Sequence, residues 1–178
     1  MSAGLNEIDF EEVGALEPGH IMTDSPRQWR SDCQAGQFKI GSTTMRGPKL
    51  DMEIIAAAVQ EGEFYGYPPQ KWMFVMFVDP DGVLSTILFK TESLDNFAEL
   101  WRCNRLKGET LLGKTISARM CKRSSRANGE SYYAVEFEVT ATGKFFAAIA
   151  EFRSKAYQPE MLRLTPDLRL ITDQTPKQ

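Results

Sequence analysis

Two stretches of this chain carry side chains suited to holding a flat, anionic ligand. EGEFYGYPPQ, residues 61–70, places Phe64, Tyr65 and Tyr67 on a segment whose two glycines and two prolines bar a regular element. CKRSSRANGES, residues 121–131, carries Lys122, Arg123 and Arg126, with Arg119 just before it and Tyr132 just after. Aromatic rings stack on nucleobases, each contributing roughly 1–3 kcal/mol, while lysine and arginine neutralise phosphates. From Arg102 to Asn128 there are eight basic residues against one acidic residue, Glu109. A solvated helix end followed by a soluble loop would account for that run alone. The aromatic loop beside it favours binding.

Other chemistries are poorly supplied. His20 is the only histidine, and Cys33, Cys103 and Cys121 are unclustered and odd in number, the pattern of free thiols. Asp51 with Glu53, and Glu136 with Glu138, stand at strand spacing and could approach a divalent cation, but solvated edge charges explain them more simply. No glycine-rich phosphate loop, nucleophile elbow or HExxH occurs. The expectation is therefore a non-enzyme with no metal and no cofactor.

The elements that would position these residues centre on Lys71–Lys90, KWMFVMFVDPDGVLSTILFK. Two apolar, β-rich runs flank Asp79-Pro80-Asp81-Gly82, which fits a type I turn closed by a glycine bulge. That turn pairs Val78 with Leu84, Met76 with Thr86, Phe74 with Leu88 and Trp72 with Lys90. Met73, Val75, Phe77, Ser85, Ile87 and Phe89 form the better core face. Trp72, Phe74, Thr86 and Lys90 are then expected outward, with Lys71 at the strand's start.

Elsewhere, Gln37–Thr44 reads as a short strand. Leu50–Val59 reads as another, with Leu50, Met52, Ile54 and Ala56 on one face. Ser93–Lys107 reads as a helix capped by Ser93, with Leu94, Phe97, Leu100 and Trp101 toward the core and Gly108 ending it. Lys114–Lys122 and Ser131–Thr140 alternate as strands, with Tyr133 and Phe137 inward and Tyr132 outward. Residues 143–157 fit a helix, with a final edge strand as the alternative.

Charge divides the chain. Residues 1–24 hold six acidic and no basic residues, while 25–178 hold 21 basic and 18 acidic, so an arm of −6 precedes a body of +3. The expected domains are an acidic, largely unpacked arm over 1–35, a barrel domain over 36–158 and a tail over 159–178. Ile8, Phe10, Val13 and Leu16 could form one apolar helical stripe in the arm. No apolar run reaches membrane-spanning length and no signal-peptide plan is seen, which points to a cytoplasmic or nucleoid-associated protein.

Strand, hairpin, helix, strand, strand is an order that resembles the OB-fold, a five-stranded barrel with a helix between strands three and four. The fold class expected is thus mainly β with one or two helices. The resemblance implies oligonucleotide binding over the second and third strands, flanked by the first and last inter-strand loops. Those positions fall on the aromatic and basic loops and on Trp72, Phe74, Thr86 and Lys90. The chain accordingly resembles single-stranded DNA-binding proteins of bacterial, phage or plasmid type, which act in replication and recombination. They usually end in an acidic tail, whereas this chain ends in DQTPKQ and carries its acidic segment first. That arm could compete with DNA for the basic groove or recruit replication and recombination proteins. RNA binding, or a protein-interaction and assembly module of viral type built on the same barrel, are the alternatives. A homo-oligomer is compatible with either.

Overall fold

The structure, a computed structural model, describes residues 21–156. Expectations for residues 1–20, including the helical stripe, and for 157–178 lie outside the described residues. Eight strands form one strongly curled, half-barrel sheet. They are β1 Met22–Asp32, β2 Gln37–Ile40, β3 Thr44–Gly47, β4 Lys49–Gly62, β5 Gln70–Val78, β6 Val83–Lys90, β7 Lys114–Ser124 and β8 Ser131–Thr142. Their order in the sheet is β3-β2-β1-β6-β5-β4-β7-β8. Helix α1, Thr91–Leu106, joins β6 to β7, and α2, Phe146–Lys155, follows β8.

The central hairpin forms in the expected register, Trp72 opposite Lys90 through Val78 opposite Leu84. Its turn is closed by Asp79 N–H to Val83 O at 3.0 Å and Gly82 N–H to Asp79 O at 2.9 Å, with Gly82 at φ 78°. Asp79 does more than turn the chain. Its fully buried carboxylate accepts bonds from the Trp29 indole, Arg27, the Ser85 hydroxyl and the backbone N–H of Asp81 and Val83. A buried carboxylate is tolerable only with such partners. Two of them, Arg27 and Trp29, come from β1.

That strand corrects the expectation of an unpacked arm through residue 35. β1 runs parallel to β6, and Trp29 is 1% exposed in the main core with Phe38, Phe77 and Phe89. With β2 and β3, which divide the expected strand 37–44 at Gly41, it extends the sheet beyond the five expected barrel strands to eight in all. A parallel partner from far along the chain leaves no hairpin signal in sequence.

A second correction concerns the two faces of the hairpin. Both are buried. Met73, Val75, Ile87 and Phe89 pack with Phe97 of α1, whereas Trp72, Phe74, Met76, Leu84 and Leu88 pack with Ile55, Phe64 and Ile149 of α2. Trp72 and Phe74 are each 2% exposed, and Thr86 is half-buried. α2 confirms the helical reading of 143–157, and Glu53 of β4 fixes the chain just ahead of it by accepting the N–H groups of Lys144 and Phe145 at 2.5 and 2.8 Å. An irregularity between Ile54 and Ala56 turns Ile54 to one core and Ile55 and Ala56 to the other, against the single face expected.

α1 starts two residues before the expected cap. Ser93 lies inside it, and its hydroxyl accepts Val135 N–H at 2.9 Å instead of capping. Phe97 enters the core as expected, but Trp101 is 51% exposed. Gly108, at φ 69°, ends the helix with its N–H on Arg105 O.

Candidate nucleic-acid interface

A groove of about 540 Å³ opens where the curled sheet fails to close. Its walls are the end of β1 (Arg30–Cys33), the β6–α1 junction (Leu88–Ser93), the start of β8 (Tyr132–Ala134) and the loop tyrosines Tyr65 and Tyr67. On the free side of β8, Tyr133 N–H donates to Cys33 O at 2.8 Å. Asn96 donates to Val135 O at 2.9 Å, and Ser93 takes the Val135 N–H. Backbone groups that would otherwise face solvent or another strand are thus satisfied at the gap itself.

Trp72 organises the aromatic side. The loop turns tightly at Tyr65, φ 55°, and Gly66, φ 75°, with Tyr67 N–H bonded to Phe64 O. Positive φ at a tyrosine is uncommon and concentrates the loop's three rings in one place. Phe64, Tyr65 and Tyr67 all meet the Trp72 indole edge-on, at centroid distances of 5.6, 6.0 and 5.9 Å. The indole N–H is held by Gly62 O at 3.0 Å. Trp72 is therefore an anchor for the loop, not an open stacking surface. The exposed rings are Tyr67, at 42%, and Tyr132, at 38%.

Cations lie against these rings. Lys90 Nζ is 2.8 Å from the Tyr67 centroid and 5.7 Å from that of Trp72, and the Arg30 guanidinium is 4.5 Å from the Tyr65 centroid. Arg30 Nε is buried and has no acceptor among the described residues, an unsatisfied donor on the groove wall. Lys39 pairs with Asp32 at the rim. The Tyr65 phenol accepts from Gln28 at 3.3 Å and is pushed above its ordinary pKa by burial, against the opposing pull of Arg30.

The far wall is electrostatically closed. Arg123 Nε bonds Glu92 at 2.8 Å, and its other nitrogen bonds Glu136. Tyr132 donates to Glu92 at 2.9 Å, and that bond raises the phenol's pKa. Glu92 is held below the usual carboxylate range, first by Arg123 and then, against some burial, by Tyr132. Thr91, which aims this end of α1, has φ 48°, a genuine outlier for a β-branched residue.

Of the residues singled out in sequence, Tyr65, Tyr67, Trp72, Lys90 and Tyr132 meet at the groove. Phe64 is buried behind them and Phe74 lies deeper in the second core. Thr86 pairs with Met76 away from it. Lys71 is exposed opposite Glu61 at the start of β5, and Arg119 lies 3.8 Å from Glu138 on the β7–β8 surface. Lys122 and Arg126 are exposed and make no ion pair among the described residues; Lys122 pairs across the strands with Tyr133, a groove residue. Arg30, Lys39 and Glu92 were not anticipated. A legible trace existed for the first two: Trp29 and Phe38 are apolar residues set among polar neighbours around a turn at Gly36.

Among the described residues no cluster of histidine, cysteine or acidic side chains could hold a metal ion, all three cysteines are free, and no helix is long and apolar enough to cross a membrane. Comparison with known protein families, with curated proteins and with solved structures finds no match.

Proposed function

We propose that this protein binds single-stranded nucleic acid, DNA in the first instance, in the groove between Tyr67 and Tyr132, protecting it in replication or recombination. The observation that carries the reading is the convergence of two exposed tyrosines with Arg30 and Lys90 on one groove, with Lys39 at its rim paired to Asp32. Bases would stack on the tyrosines and phosphates would meet the cations. Lys122 and Arg126 would extend the cationic path beyond Tyr133. Trp72 and Phe74, buried, are not part of the contact surface, and Arg123 would contribute only after leaving its two carboxylates. The OB-like reading draws support from the five strands β6-β5-β4-β7-β8 lying contiguously in the sheet, with α1 connecting the third to the fourth in chain order.

The acidic segment 1–24 would compete for the same cations or recruit partner proteins. Deleting residues 1–20, which hold five of the six acidic groups and stop short of buried Ile21 and β1, should then tighten binding at low salt, and an unchanged affinity would remove the competition role. The reading itself is tested by fluorescence titration with labelled single-stranded DNA, single-stranded RNA and duplex at two salt concentrations. Preference for single strands and weakening with salt support it, and the RNA arm reports whether a 2′-OH matters. No binding at low salt refutes it.

A further inference from the structure

Two of the cations lining the groove, Arg30 and Lys90, make no ion pair among the described residues. The other charges there are matched: Lys39 pairs with Asp32, and Glu92 is held by Arg123 and Tyr132. Both unmatched cations lie against rings that meet Trp72. The Arg30 guanidinium is 4.5 Å from the Tyr65 centroid and Lys90 Nζ is 2.8 Å from that of Tyr67. A ring face attracts a cation but offers no lone pair to its N–H groups. Arg30 Nε accordingly stays buried without an acceptor. Charge and a donor are therefore left over at one place on the groove wall, and both call for an anion.

Building on the groove reading above, on which this rests, we propose that Arg30 and Lys90 form a site for one phosphate monoester borne by a nucleoside, either the phosphorylated end of a bound strand or a free nucleotide. Charge is the first reason. A monoester carries about two negative charges at pH 7, matching the two unmatched cations, whereas each phosphate inside a strand carries one. Shape is the second. Tyr133 N–H donates to Cys33 O at 2.8 Å, and a Cβ on Gly36 would lie 2.8 Å from the Tyr133 ring. The β1 and β8 walls are thus joined where β1 turns into β2. A strand must then lie over the β7–β8 surface, where Lys122 and Arg126 are exposed, and only its end reaches Arg30. The neighbouring ring is the third. Tyr67, 42% exposed beside Lys90, stands where the base attached to that phosphate would stack.

Anisotropy titrations of the full chain test this with oligothymidylates labelled at one end and bearing a phosphate or a hydroxyl at the other. Both polarities are tried, and thymidine monophosphate is compared with thymidine by intrinsic fluorescence. One phosphorylated end should bind at least about tenfold more tightly than its hydroxyl counterpart. Arg30→Gln should bring that ratio close to one; if circular dichroism shows this variant unfolded, Lys90→Gln serves instead. A preference seen only for thymidine monophosphate over thymidine supports the site and makes the free nucleotide its ligand. Strands that bind equally with either end, with no preference for thymidine monophosphate, overturn the site and leave single-strand binding standing. If no strand binds, the single-strand reading falls alone when thymidine monophosphate still binds in preference to thymidine, and both fall when it does not. A preference that survives both substitutions also overturns the site.

Discussion

The ammonium of Lys90 sits over the ring of Tyr67, 2.8 Å from its centroid, and joins the end of β6 to the aromatic loop across the mouth of the groove. This contact covers one face of Tyr67, the more exposed of the two groove tyrosines. Replacing Tyr67 with Ala should weaken single-strand binding by about 1–3 kcal/mol, as for a lost stacking partner. Unfolding by urea should change far less, because the ring is 42% exposed. Titration and denaturation of the same variant check both halves.

Trp72→Ala should behave in the opposite way. The indole is 2% exposed, holds three loop rings and donates to Gly62 O, so its removal should cost about 3–5 kcal/mol of stability. Any loss of ligand binding would then follow from a displaced loop. A urea midpoint close to wild type would contradict the anchoring role.

Gly143 should not tolerate a side chain. A Cβ there would lie 2.6 Å from Glu53 Oε2, part of the carboxylate that holds the Lys144 and Phe145 N–H groups ahead of α2. Gly143→Ala should destabilise the fold by about 1–3 kcal/mol and loosen the helix covering Trp72 and Phe74. Thermal denaturation with tryptophan emission as the probe would show a lower midpoint and a red shift; an unchanged midpoint would contradict this role for the Glu53 contacts.

Acid should open the far wall of the groove. Glu92 and Glu136 both have carboxyl pKa values depressed chiefly by Arg123. A depressed folded-state value means the unfolded chain takes up protons first as pH falls. The stabilisation is therefore present above the ordinary glutamate value of about 4.3 and is lost as pH drops through the lower folded values. Both groups are largely solvent-screened, so the effect is modest. In a Glu92→Gln variant the pH dependence of stability below about 5 should be shallower than in wild type, as measured by urea titration at stepped pH.

What could be read from the residues alone was local. The register of Trp72–Lys90 follows from four turn residues, each with its own conformational reason, and it stands as expected. The fate of its second face did not follow, because the covering residues lie far off in the chain: Ile21 before it, Ile149 well after. The same distance hid the state of Arg123. Its loop is basic in sequence, yet Glu92, 31 residues earlier, neutralises it in space. Trp101 failed for another reason. It has the helical spacing of a core residue, but it stands half-exposed in a groove shared with Val59 and Arg105. The aromatic loop was legible as a recognition element, though which of its rings face outward was decided by the anchoring of Trp72.

The central claim is that ligand lies in the groove and not elsewhere on the basic surface. Its most direct test is the salt dependence of single-stranded DNA affinity for Lys90→Met, on the groove, beside Lys71→Met, exposed but outside it. Each phosphate contact contributes about 0.7 to the log–log slope for a single strand. Lys90→Met should weaken binding and reduce the slope by about that amount, while Lys71→Met leaves both unchanged. Equal effects from the two variants, or wild-type binding that ignores salt, would contradict the assignment.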